Sequence, residues 1–184
     1  MNGNSNTVIP ERLTATFFNE KEYQTQRKNH FEVVFNGDFI DKDMKFLVVS
    51  FPLPKESSDV MEMSYFNQTI KTAGKASFET SSLVIRDALE YDTEQKFMEW
   101  RLRVYNPKTG KQGYAEDYKT NATVYEYSPN GETVRAWHLE GCWPSSVDYG
   151  DLTYEDQTEK QITITIVYDY AYRTDIDSIN RINA

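Results

Sequence analysis

From Ile162 to Tyr172 the chain alternates. Ile162, Ile164, Ile166, Tyr168, Tyr170 and Tyr172 fall on one parity, and Thr163, Thr165, Val167, Asp169 and Ala171 on the other. Successive side chains of an extended strand point to opposite faces, so this period of two writes one apolar face and one largely polar face. A strand this long needs a sheet wide enough to cover its apolar Ile and Tyr side, and its other side must meet water or a partner. Just upstream, Gly141-Cys142-Trp143-Pro144 marks a sharp corner, and Asp151 to Glu159 forms an acidic loop.

The 184 residues suffice for one domain or one domain plus tails, and 39% hydrophobic content with ten Phe, thirteen Tyr and three Trp supports a real core. Twenty basic residues against twenty-nine acidic ones leave a formal charge of −9. A surface of that sign repels phosphate, which speaks against sequence-reading nucleic-acid binding. Cys142 is the single cysteine, so no intramolecular disulfide can form; it reads as a small buried hydrophobe, with a disulfide between subunits as the alternative. The N-terminus MNGNSNTVIPERL lacks the charge and apolar pattern of a signal peptide, and no run of about 18 apolar residues occurs, so the expectation is a chain that is neither secreted by a signal peptide nor membrane-spanning.

Strand signals dominate the organisation. Residues 1–12 read as a flexible polar tail, 13–172 as a β domain and 173–184 as a C-terminal extension whose Ile176, Ile179 and Ile182 suit a short helix. His30 to Phe35 places Phe31, Val33 and Phe35 on one face, and Lys45 to Phe51 reads as a buried strand stopped by Pro52-Leu53-Pro54. Val60 to Lys71 alternates Met61, Met63 and Tyr65 against Glu62 and Ser64, predicting a hairpin with one wet face that turns at Ala73-Gly74-Lys75. One helix is predicted from an N-cap at Asp92, with Gln95 completing a capping-box arrangement. Phe97, Trp100 and Val104 make its core stripe, Leu102 and Tyr105 widen it, and Asn106-Pro107 ends it. Residues 107–119 read as a surface loop, and Asn130-Gly131 joins strands at Thr120 to Tyr127 and Thr133 to Cys142. The fold class that results is mainly β, an antiparallel β-sandwich or barrel with one flanking α-helix.

Catalytic chemistry finds little support in the residues. His138 lies four positions before Cys142, which on one strand means roughly 13 Å, too far for the imidazole to activate the thiol. The only histidines, His30 and His138, have no metal-ligand spacing, and no glycine-rich phosphate loop or nucleophile elbow occurs. No catalytic, cofactor or metal residue is therefore assigned. Carboxylate pairs such as Glu116-Asp117 and Glu155-Asp156 sit in polar loops where solvation explains them. Trp100, Trp137 and Trp143 keep a carbohydrate-binding β-sandwich open as a reading of a different class, although Trp100 and Trp137 are better explained by packing.

Three segments in order resemble the tail tube proteins of contractile, T-even-like bacteriophages. These are the corner Gly141-Cys142-Trp143-Pro144, the acidic loop with the alternating strand after it, and Lys96-Phe97-Met98-Glu99-Trp100 in the helix; Ala73-Gly74 and Phe51-Pro52-Leu53-Pro54 add to them over roughly residues 25–172. The resemblance implies a non-enzymatic structural virion protein that closes into hexameric rings, stacked into the inner tail tube through which DNA is ejected. It also implies as partners further copies of itself, sheath and baseplate proteins, and a tape measure protein and passing DNA held without sequence-specific binding, with assembly in the host cytoplasm and no membrane. A tube initiator or terminator, or a type VI or contractile-injection relative, would share the architecture. On this reading Gly141, Trp143 and Pro144 are a fold-signature corner, Phe97 and Trp100 the helix core, and Glu32 and Glu62 candidates to face the lumen, where negative charge keeps DNA from sticking.

Overall fold

A computed structural model describes residues 25–37, 42–155 and 157–175. The expectations for residues 1–12 and for the helix carrying Ile176, Ile179 and Ile182 lie outside the described residues. Among the described residues eleven strands and two α-helices follow in chain order: β1 Phe31–Phe35, β2 Val48–Ser50, β3 Glu56–Tyr65, β4 Gln68–Phe78, β5 Ser81–Arg86, α1 Thr93–Val104, β6 Tyr105–Asn106, β7 Lys111–Gln112, α2 Ala115–Tyr118, β8 Thr120–Tyr127, β9 Thr133–Asp148, β10 Gln161–Val167 and β11 Tyr170–Asp175. The fold is mainly β and antiparallel, with one long flanking helix.

The 16-residue β9 organises the domain. Its first half pairs with β8 on one side and β11 on the other, and β8 pairs onward with β1. Its second half pairs with β10, followed by β5 and β2, so the main sheet reads β1-β8-β9-β10-β5-β2 with β11 also on β9. Side chains from both halves share one core, in which Val33, Leu83, Ile85, Val124, Leu139, Ile162, Ile164 and Ile166 are buried. Helix α1 packs on β9 and adds Phe97 and Trp100 to that core, with the Trp100 ring edge-on to Phe35 at 5.6 Å. The strands β1 and β2 end the path, leaving the sheet open between them.

Several boundaries differ from the sequence reading. Lys45 to Phe51 is not one buried strand: a 3-10 helix covers Lys42–Leu47 and only Val48–Ser50 is extended, with Phe46 exposed. A short apolar run fits a helical turn as readily as a strand, and here burying Met44 decides for the turn. The hairpin of β3 and β4 turns at Phe66-Asn67, not at Ala73-Gly74. Phe66 supplies the left-handed conformation such a turn requires (φ 52°), while Gly74 sits inside β4 beside a register shift where Asp59 approaches to 3.0 Å of the position a Cβ would take. Both faces of this ribbon are exposed, not one.

Asp92 precedes α1 in a left-handed conformation and makes no side-chain cap; Gln95 bonds to Glu99 (2.8 Å) and not back to the cap. The expected stripe of Phe97, Trp100 and Val104 is buried, whereas Leu102 and Tyr105 are exposed and do not widen it. The stretch 107–119 holds β7 and the short helix α2.

Candidate functional site

The Gly-Cys-Trp-Pro segment does not end a strand. β9 runs through it to Asp148, and the bend is made at Gly141, whose φ of 70° belongs to the left-handed region that favours glycine. Before the bend Trp137 and Leu139 meet the core cluster; immediately after it Cys142 does, with Pro144 on the same parity also buried. The side of β9 that meets the core therefore changes parity at Gly141.

The neighbouring strand does the same at the same level. β10 and β11 lie on one edge of β9 in one register, Val167 opposite Trp143 and Tyr170 opposite Glu140, with Tyr168 and Asp169 between them outside either strand. Ile162, Ile164, Ile166 and Tyr168 are buried, but beyond the break Ala171 packs on the core and Tyr170 and Tyr172 are exposed. The expectation that the whole Ile and Tyr parity is core is thus corrected, because the parity rule holds only while the strand keeps its facing. On the outer side Tyr172 stacks on His138 at 5.1 Å and near Tyr170 at 6.5 Å.

Polar groups lock the bend. The Asp169 side chain occupies the space that a Cβ on residue 141 would need. Its carboxylate accepts from Lys119 Nζ at 2.7 Å on both oxygens, its backbone N–H donates to Glu140 O (2.9 Å), and Gly141 N–H donates to Asn121 Oδ1 (3.1 Å). Trp143 meets Tyr118 edge-on at 5.8 Å, and the carbonyl of Tyr118 accepts from Trp100 Nε1 (2.7 Å). Trp143 of the corner, which also holds Gly141 and Pro144, and Trp100 of the helix, beside Phe97, are therefore joined through Tyr118 of α2. Sequence reasoning missed Lys119, Asn121 and Asp169. The available signal was Asp169, the one charge within the alternating strand.

Glu32 and Glu62 are not brought together. Glu32, on the side of β1 away from Val33 and Phe35, pairs with Lys45 (2.7 Å) and accepts from Tyr127 Oη (2.9 Å). Burial alone would raise its pKa, but the hydrogen bonds from Lys45 and Tyr127 outweigh it and hold the carboxyl below its ordinary value. Tyr127 in turn is pushed up to about 12 by burial and by the adjacent Glu32. Glu62 lies on the exposed ribbon opposite Lys71, with which it pairs at 2.9 Å.

Other candidates for chemistry resolve into packing. Cys142 is fully buried, donates weakly to Leu139 O (3.6 Å) and has its thiol pushed up to about 12 by burial. A sulfur so placed behaves as a small buried hydrophobe, away from the surface. Trp100 is buried and Trp137 packs on the core with its indole N–H on Glu126 (3.2 Å), so neither offers an open ring face to a sugar. Among the described residues no group of three or more His, Cys, Asp and Glu is placed to hold a metal ion, and no helix is long and apolar enough to cross a membrane.

What remains conspicuous is the ribbon itself. β3 and β4 pair only with each other, and Val60, Met61, Met63, Tyr65, Phe66 and Ile70 are exposed along it, Phe66 at its tip by 90%. An isolated two-stranded hairpin is marginally stable in water, and this one lines up Met61, Met63, Tyr65 and Ile70 on one exposed face, with Glu62, Ser64 and Lys71 on the other.

Solved structures share this fold. The cryo-EM structure of the anti-feeding prophage cap, a tube-terminating cap, aligns with a TM-score of 0.67 at 13% identity, covering 83% of this chain and 92% of that one. The sheath-tube complex of the PVC extracellular contractile injection system in its extended state aligns at 0.62 and 14% identity over 89% and 99% of the two chains. A component of the anti-feeding prophage baseplate aligns at 0.61 and 14% identity over 83% and 98%. No curated protein matches the chain in sequence. The sequence model of the family described as T4-like virus tail tube protein gp19 matches residues 27–172, and the chain belongs to that family.

Proposed function

We propose that this chain is the polymerising subunit of a contractile tail tube, closing into hexameric rings that stack into a conduit for DNA. The observation that carries this reading is the β3–β4 arm, whose exposed Met61, Met63, Tyr65, Phe66 and Ile70 have no cover within the described subunit. Met61, Met63, Tyr65 and Ile70 share one face of the ribbon, with Phe66 at its tip, and such an exposed apolar face calls for a second surface to bury it; a contact between unlike surfaces of identical subunits extends indefinitely when it does not close. On this reading Glu32 and Glu62 face the lumen. Their pairing with Lys45 and Lys71 moderates the negative wall without making it basic. Sheath and baseplate proteins bind the outside and ends of the tube, a tape measure protein and then DNA occupy its lumen, and assembly takes place in the host cytoplasm.

Negative-stain electron microscopy of the purified chain tests the proposal. Rings or tubes are expected, and replacing Met63 and Phe66 together with serine should leave a folded monomer that no longer stacks. A wild-type chain that stays monodisperse and monomeric at high concentration, with or without baseplate, would refute it. Converting Glu62 to Lys should slow genome ejection while tubes still form; unchanged ejection removes Glu62 from the lumen.

A further inference from the structure

The sheet is open between β1 and β2, and a cavity of about 740 Å³ lies at one end of that opening. Its volume falls within the roughly 300–1,000 Å³ typical of ligand-sized clefts. Phe31, Phe51 and Leu53 give it an apolar floor, and Arg27 and Lys28 stand on its rim. Neither cation forms an ion pair among the described residues, whereas the carboxylate on the wall, Glu126, is engaged by Arg135 and by the Trp137 indole. His30, also on the wall, has its Nδ1 buried without a hydrogen-bond partner. The groove is thus greasy inside and positively charged at its mouth.

A complementary feature sits at the other end of the same sheet. The loop between β9 and β10 leaves Leu152 86% exposed and Tyr154 fully exposed, flanked by Asp151 and Glu155. Strand pairing fixes the two locations. Gln161, where the loop rejoins the sheet, is opposite Arg86 at the end of β5, while Ser81, at its start, donates to the carbonyl of Pro52 in the groove wall. The six residues of β5 separate them by roughly 20 Å along the strand direction. Opposite signs and matching apolar groups at opposite ends of one sheet cannot meet within a subunit, but they meet when copies are set head to tail.

We propose that the groove receives the 149–155 segment of a second copy of this chain. Leu152 and Tyr154 enter the floor against Phe51 and Leu53, and Asp151 and Glu155 pair with Arg27 and Lys28. The contact is heterologous and propagates along one axis, so it deepens the stacking reading given above and rests on it. The burial of two large apolar side chains supplies affinity, and the charges at the rim set orientation.

Two experiments on the full chain test the docking. With Leu53→Cys and Tyr154→Cys in one chain, mild oxidation under assembly conditions should give a ladder of covalent multimers on non-reducing electrophoresis, and neither single variant should extend past a dimer. Cys142 is buried and should not contribute. Independently, Arg27→Glu with Lys28→Glu should lower the pelletable assembled fraction at least tenfold, and adding Asp151→Lys with Glu155→Lys should restore it. Tubes of the Leu53→Cys, Tyr154→Cys chain that form without yielding a ladder, or a ladder obtained from Leu53→Cys with Phe66→Cys in place of Tyr154→Cys, would assign the groove elsewhere and overturn the docking while leaving the tube intact. Charge reversal without effect on assembly overturns it as well. A wild-type chain that never assembles overturns the tube reading and this docking with it.

Discussion

Replacing Gly141 with alanine probes the bend in β9 directly. Two costs follow from the geometry. The φ of 70° places an L-residue in the left-handed region, which costs about 1–2 kcal/mol. The new Cβ also collides with the Asp169 carboxylate, so that side chain must rotate away and release Lys119; an ion pair this exposed is worth about 0.2–1 kcal/mol. The expected loss is therefore about 1–3 kcal/mol, a fall in Tm of about 2–12 °C for a chain of this size. Urea unfolding followed by tryptophan fluorescence reads it. The double variant Gly141→Ala with Asp169→Ala separates the two costs, because removing the carboxylate removes the collision and leaves only the backbone term. The double variant should be less destabilised than the sum of the single variants. A loss below about 0.5 kcal/mol for Gly141→Ala, or strict additivity in the cycle, would refute the claim that glycine and aspartate lock the corner together.

Further expectations follow from the same contacts. Trp100→Ala should cost about 3–5 kcal/mol by denaturant titration, and Trp100→Phe, which strands the Tyr118 carbonyl, about 1–3 kcal/mol. Glu32 has its carboxyl held below the ordinary 4.5, so the unfolded chain takes up the proton first: the stability it supplies is present above that value and is lost as pH falls through the lowered one. Glu32→Gln should therefore flatten the acid limb of the stability profile, and an unchanged limb would count against the Lys45 and Tyr127 contacts. Cys142, with its thiol pushed up to about 12, should resist alkylation at pH 8 until the protein unfolds; prompt labelling of the native chain would contradict its burial.

Alternation was a dependable guide wherever a strand kept one side to the core. Ile162, Ile164 and Ile166 are buried as their spacing demands, as are Val33 and Phe35, and the turn near Asn130-Gly131 joins the two strands it announces. The same rule misplaced Tyr170 and Tyr172, because sequence parity carries no record of a bend at which two adjacent strands exchange faces. The arm was legible as a hairpin but not as a free one: Met61 and Met63 look like core residues in the sequence, and only the absence of a covering layer reveals them as surface. The corner was visible as Gly141-Cys142-Trp143-Pro144, yet its lock was not, since Lys119, Asn121 and Asp169 are separated along the chain and become neighbours only through β8, β9 and the break between β10 and β11. The basic rim of the groove escaped notice for a similar reason, because it depends on which strands end the sheet.

The strand order also sets a timetable for synthesis. The strands β8, β9, β10 and β11 form a contiguous stretch in which each pairs with a neighbour close in sequence, whereas β1 waits for β8, Phe31 opposite Glu126, and β5 waits for β10. The first half of the chain thus leaves the ribosome with β1 unpaired and with the β2–β5 pair and the arm uncovered, and closing such long loops is slow. Pulsed hydrogen exchange during refolding should show amides of residues 120–175 protected before those of β1 and β5, and simultaneous protection would argue against this order. Unpaired strand edges and uncovered apolar surface are what aggregate, so the interval before β8 and β10 arrive, more than the stability of the finished subunit, is when the chain is most exposed to misassembly.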